Sequence, residues 1–145
     1  MTAKDLHYRF RCPVKVRYIE VDAQQHVFFG HYLTYFDIAL VEYMREIGHA
    51  YPDMISRGAD MFYAHAECDY HGRARFEDVL NVHARIGHIG NTSFTFDFSI
   101  YRQVDDALVA TGKIVAVAVD VDAEQPTSVP EALRQAVRKY EDRQS

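Results

Sequence analysis

The run LVATGKIVAVAVDV, Leu108–Val121, is apolar on both sides of an extended chain, which predicts a strand that is central in a sheet or covered twice. Such a strand needs others beside it. Asp60–His71, Val79–Ile89 and Thr92–Arg102 read as those strands, because His71-Gly72-Arg73, Gly90-Asn91 and Asp105-Asp106 supply turn chemistry between them. In the third, Phe94, Phe96, Phe98 and Ile100 alternate with Thr95, Asp97, Ser99 and Tyr101, so one face is strongly apolar and requires a cover.

The cover lies upstream. From Tyr8 to Glu20 the chain still alternates, with Phe10, Cys12, Val14, Val16 and Tyr18 opposite Arg9, Arg11, Lys15 and Arg17, and Pro13 marks an edge strand. From Gly30 to Ile47 the period lengthens: Leu33, Phe36, Leu40, Tyr43 and Ile47 recur at helical steps, and Gly48 ends the helix. Tyr51–Gly58 has room for a helical turn, and Pro130 opens a terminal helix striped by Leu133, Ala136, Val137 and Tyr140. The order predicts an α+β domain, an antiparallel five-stranded sheet packed on one long helix with a C-terminal helix added. At 145 residues and 48% hydrophobic, residues 1–145 form a single domain. One helix covers only part of such a sheet, and a leftover apolar face or unpaired edge predicts a homodimer.

A net charge of -5 argues against nucleic-acid binding, which needs clustered cations; the Arg9 to Arg17 cluster reads as the solvated face of a strand. Cys12 and Cys68 lack metal or disulfide spacing and read as reduced, half-buried thiols. The eight His residues form no metal motif, so no metal is expected. The N-terminal MTAKDLHYRF has no apolar run of signal-peptide length, and no stretch reaches the roughly 18 apolar residues of a membrane span. The expectation is a soluble, cytoplasmic protein with no membrane partner.

The stretch EVDAQQHVFFGHYL, Glu20–Leu33, sets an acid ahead of the helix. Asp22 precedes Phe29 by seven residues and is too far away to be the adjoining cap, and Ala23–Leu33 contains no Ser, Thr, Asp or Asn. The first helical amides therefore lack a side-chain acceptor. A ligand carbonyl or oxyanion suits such donors, and a nearby carboxylate supplies the second half of an acyl-transfer site. Water or backbone carbonyls satisfy the same amides equally well.

RYIEVDAQQHVFFGHYLTYFDIALVEYM, together with CDYHGRARFEDVLNVHARIGHIGNTSFTFDFSIYR, resembles the 4-hydroxybenzoyl-CoA thioesterase-like branch of the hotdog-fold acyl-CoA thioesterases, and the likeness spans about Val14 to Val121. It implies a sheet wrapped around a central helix, and hydrolysis of an acyl-CoA with no cofactor beyond the coenzyme A of the substrate. Asp22 then matches the catalytic carboxylate, as nucleophile or general base, and Phe29 matches the position whose backbone amide polarises the thioester carbonyl, with Gly30 beside it. The resemblance also implies a site between the subunits of a homodimer, which can pair further into a dimer of dimers. Gln24-Gln25 stands where many members of that family have a Gly, and Phe28-Phe29 where many have Asn-Asn or a Tyr followed by a polar residue.

Candidate substrate-binding residues surround this motif. His26 and His31 orient Asp22, bind substrate or hydrogen-bond the loop, and Arg73 and Arg75 suit the phosphates of coenzyme A or a solvated loop. Asn91, Thr92 and Ser93 match a loop that lies near the thioester or the pantetheine arm in relatives; alone, Gly90-Asn91 is an ordinary hairpin. Phe28, Tyr32, Phe62 and Tyr63 line an acyl pocket or fill core. A non-catalytic acyl-CoA-binding module and a 3-hydroxyacyl thioester dehydratase are the alternatives, and the dehydratase lacks its His-containing motif here.

Overall fold

The computed structural model describes residues 8–142, so most of the N-terminal decapeptide lies outside the described residues. The elements are β1 (Phe10–Lys15), a 3₁₀ turn (Tyr18–Glu20), α1 (His31–Glu46), α2 (Tyr51–Ser56), β2 (Ala59–Tyr70), β3 (Val79–Ile89), β4 (Ser93–Arg102), β5 (Ala107–Asp120) and α3 (Glu131–Glu141). All strand pairs are antiparallel, in the order β1-β3-β4-β5-β2. β5 is thus interior, and Pro13 sits in an edge strand.

Phe94, Phe96, Phe98 and Ile100 are buried on one face of the sheet against α1. Phe36 stacks on Phe98 with ring centroids 4.6 Å apart, and Tyr43 meets Phe96 edge-on at 6.2 Å. Helix α1 packs against both edge strands, β1 and β2, as well as against β3. Five strands at about 4.8 Å spacing put the edges roughly 19 Å apart, wider than a helix of about 10 Å diameter, so the sheet must curl around α1 to bring both edges to it. Gly112 permits a close approach of strand and helix. A Cβ there would stand 2.4 Å from a Phe36 ring carbon and 2.4 Å from the Glu67 carbonyl oxygen.

Two expectations fail locally. Tyr18 does not continue the buried parity of β1 and is 74% exposed, because the Glu20 side chain accepts the Arg17 amide at 2.8 Å and turns the chain into a 3₁₀ arc. Leu33 also stays partly exposed: Tyr32, Tyr35, Phe36, Ala39, Leu40, Tyr43 and Met44 form the buried face of α1, rotated away from it. Gly48 ends the helix at φ 87°, where glycine meets no steric cost.

The opposite sheet face is mixed, with Val115 and Val117 of β5 beside Thr111 and Lys113. Asp97 lies between Arg85 at 3.2 Å and Lys113 at 3.3 Å. Edge strand β2 exposes Phe62, Tyr63 and Tyr70. Among the described residues, no helix is long and apolar enough to cross a membrane.

Candidate active site

Between the 3₁₀ turn and α1 the chain folds back in a small hairpin. Val21 and Val27 form an antiparallel bridge, and the Asp22 amide donates to the His26 carbonyl at 2.8 Å. The Gln25 amide returns to the Asp22 carbonyl at 2.9 Å, and the Gln24 amide donates to Asp22 Oδ1 at 2.8 Å. One carboxylate oxygen of Asp22 is thereby oriented, in a side chain that stays partly exposed. Gln25 takes the turn at φ 70°, the left-handed region that suits a glycine.

A second loop supports this hairpin. Val27 donates to the Ala74 carbonyl at 2.9 Å and His26 bridges to Arg75. Arg73 Nη1 lies 3.2 Å from His26 Nε2, a contact in which the guanidinium can only donate. Arg102 donates to the Arg73 carbonyl at 2.6 Å and so anchors the loop to β4.

Helix α1 opens at Gly30 with no side-chain cap. Phe28 donates to the Glu20 carbonyl at 2.9 Å and His31 donates to the Phe28 carbonyl at 2.9 Å. The amides between them, of Phe29 and Gly30, donate to no protein acceptor among the described residues. These two N–H groups stand at the positive end of the helix dipole, where an oxyanion is favoured. The Phe28 and Phe29 rings lie 4.7 Å apart and exposed, with Tyr70 6.4 Å from Phe29.

Asp22, His26, Phe28, Phe29, Gly30, Arg73 and Arg75 thus gather at one end of the sheet, beside the Val79 end of β3. Asn91, Thr92 and Ser93 do not. Their hairpin follows the 11-residue β3, roughly 35 Å from its Val79 end at about 3.3 Å per residue. It is held there by the C-terminal segment, through Val129 donating to the Asn91 carbonyl at 2.9 Å and Arg134 to the Gly90 carbonyl at 2.6 Å. Tyr32 is core, 3% exposed, with its hydroxyl hydrogen-bonded to the Ala74 backbone. Phe62 and Tyr63 line a groove of about 380 Å³ between α1 and β2, together with Asp37, Val41, Tyr51 and Met61. Among the described residues, no three His, Cys, Asp or Glu side chains gather as a metal-ligand set.

Sequence reasoning overlooked Glu20, Tyr35 and Tyr70. Glu20 is buried, and the hydrogen bonds of Arg17 and Tyr35 outweigh its burial and hold its carboxyl below the ordinary value. The signal was present: Glu20 falls on the apolar parity of the first strand, an odd place for an unpartnered acid.

A curled antiparallel sheet around one helix, with an acid-bearing hairpin feeding uncapped helical amides, defines a hotdog-type α+β domain. The chain belongs to the Thioesterase-like superfamily, which it matches over residues 16–137. It is 23% identical over 124 residues to the acyl-CoA thioester hydrolase YbgC of Escherichia coli, covering 86% of this chain and 92% of YbgC. Among solved structures, the 1,4-dihydroxy-2-naphthoyl-CoA thioesterase Slr0204 of Synechocystis superposes with a TM-score of 0.81 at 20% identity, covering 88% of this chain and 94% of that one. The protein SAV2348 of Staphylococcus aureus, determined in complex with CoA, superposes with a TM-score of 0.84 at 15% identity, covering 94% and 85%.

Proposed function

We propose that this chain hydrolyses an acyl-CoA thioester to the free acid and CoA thiol. The Asp22 carboxylate acts as general base on water or as the nucleophile, and the amides of Phe29 and Gly30 hold the charge that develops on the carbonyl oxygen. With Asp22 as base, water adds to the carbonyl carbon and the C–S bond breaks. With Asp22 as nucleophile, its oxygen displaces the thiolate to give a mixed anhydride that water then cleaves. In both routes the thiolate leaves and takes a proton. The chemistry requires no cofactor or metal. The observation that carries this reading is the pair of uncommitted amides at the mouth of α1, beside the hairpin that orients Asp22.

Arg73 and Arg75 meet the phosphates of coenzyme A in this reading, and the exposed Phe28 and Phe29 rings receive an aromatic or medium-length acyl group. Edge strand β2, with Phe62, Tyr63 and Tyr70 exposed, joins a second copy to form a homodimer and brings that copy's Asn91–Ser93 hairpin to the site. A cytoplasmic location suits a CoA substrate. Phe62→Asp would be expected to convert the dimer to monomer in sedimentation, and an unchanged mass would rule out this edge.

The deciding experiment follows free thiol released from short, medium, long and aromatic acyl-CoAs by the wild type and by Asp22→Asn at equal folded concentration. Turnover by the wild type that the variant loses supports the assignment. Binding of acyl-CoA without any thiol release replaces it with the non-catalytic binding module.

A further inference from the structure

The two halves of the candidate site, the hairpin of Asp22 and the amides of Phe29 and Gly30, meet at Glu20. It lies two residues before Asp22 and is only 2% exposed. Its backbone carbonyl accepts the Phe28 amide at 2.9 Å, the last committed donor before the open pair. Its carboxylate accepts the Arg17 amide at 2.8 Å, Arg17 Nε at 2.9 Å and Nη2 at 2.8 Å, and the Tyr35 hydroxyl at 2.9 Å. Tyr35 is fully buried in α1. One residue therefore joins the exit of β1, the acid hairpin and the helix that presents the amides.

We propose that Glu20 is a positioning residue, which through Phe28 and Tyr35 sets where the Phe29 and Gly30 amides stand relative to the Asp22 carboxylate. The proposal rests on the thioesterase reading above. Only an ionised carboxylate accepts from every one of these donors, whereas the NH₂ of a glutamine would face a donor of Arg17 or the Tyr35 hydroxyl. Gln keeps the volume and the backbone bond to Phe28, so the loop persists while its registration against α1 loosens. A shift of about 1 Å in such a site can cost on the order of 100-fold in rate. No CoA contact assigned above involves Glu20, so substrate affinity is spared.

The test measures kcat and KM for Glu20→Gln, Tyr35→Phe and Asp22→Asn, each at a folded concentration verified by circular dichroism and thermal melting. Glu20→Gln is expected to lower kcat about 10- to 100-fold with KM within about twofold, and Tyr35→Phe to lower kcat less, in the same pattern. Should Glu20→Gln fail to fold, Tyr35→Phe decides, because it leaves the Arg17 pair intact. Wild-type kcat in the folded variants, or a loss that falls on KM, overturns the positioning role while an inactive Asp22→Asn leaves the thioesterase reading standing. Full activity of Asp22→Asn instead removes the reading on which the proposal rests.

Discussion

The Tyr70 hydroxyl donates to the Phe29 carbonyl at 2.9 Å, and so ties the last residue of β2 to the mouth of α1. That carbonyl belongs to the same peptide group as the Gly30 amide. A hydrogen bond accepted at its oxygen polarises the N–H on the other side, one of the two donors assigned to the oxyanion.

Tyr70→Phe keeps the ring against Phe29 and removes only this bond. The expected result is a fall in kcat of about 3- to 10-fold, the worth of a bond of roughly 1 kcal/mol, with little change in KM. Burial pushes the Tyr70 hydroxyl up to about 12, so the loss should be the same across the assay range. A kcat equal to wild type would show that the bond has no influence on the amide.

Gln25 holds φ 70° in the acid hairpin. An L-residue there costs roughly 1–2 kcal/mol, of which glycine returns all but its added entropy of roughly 0.5–1 kcal/mol. Gln25→Gly is expected to stabilise the fold by about 0.5–1 kcal/mol in urea denaturation. A lower midpoint would mean that the Gln25 side chain contributes contacts of its own.

Gly112 stands opposite Phe98 in the β4–β5 register, with no space for a methyl group beneath Phe36. Gly112→Ala must displace the Phe36–Phe98 stack or the β2 backbone, and is expected to cost about 2–3 kcal/mol. Equilibrium unfolding measures it, and a loss under about 0.5 kcal/mol would show that the strand shifts freely.

His49 is buried, and burial first, then Arg57, holds its ring below the ordinary 6.5. The unfolded chain takes up its proton at the higher pH. Stability from this group is therefore full above about pH 6.5 and falls as pH drops through the lower folded value. His49→Phe should flatten the thermal stability profile in that window. An unchanged slope would transfer the effect to another group.

Much of this fold is legible in the sequence, for a physical reason. The alternation in β4 and the helical period of α1 report which residues leave water, and burial dominates the choice of element. Tyr18 escapes that logic, because the Glu20 carboxylate reaches back to the Arg17 amide and ends the strand by a polar contact that no hydrophobic pattern records. The acid ahead of α1 and the uncapped helix start are legible from residue type and spacing, whereas the Val21–Val27 bridge that folds the acid back as a hairpin is not. The separation of Asn91–Ser93 from Asp22 depends on strand length and register, which only the folded sheet determines.

The two borders of the sheet are chemically unequal. β1 carries Pro13, which has no N–H to offer a neighbouring strand, while β2 has no proline from Ala59 to Tyr70. Head-to-tail stacking, in which the β1 border of each copy meets the β2 border of the next, would lose a donor at every junction. β2 meeting its own equivalent across a two-fold axis loses none, and such a contact consumes the good border of both copies at once. A homodimer joined in that way would stop growth into a fibre at the first step.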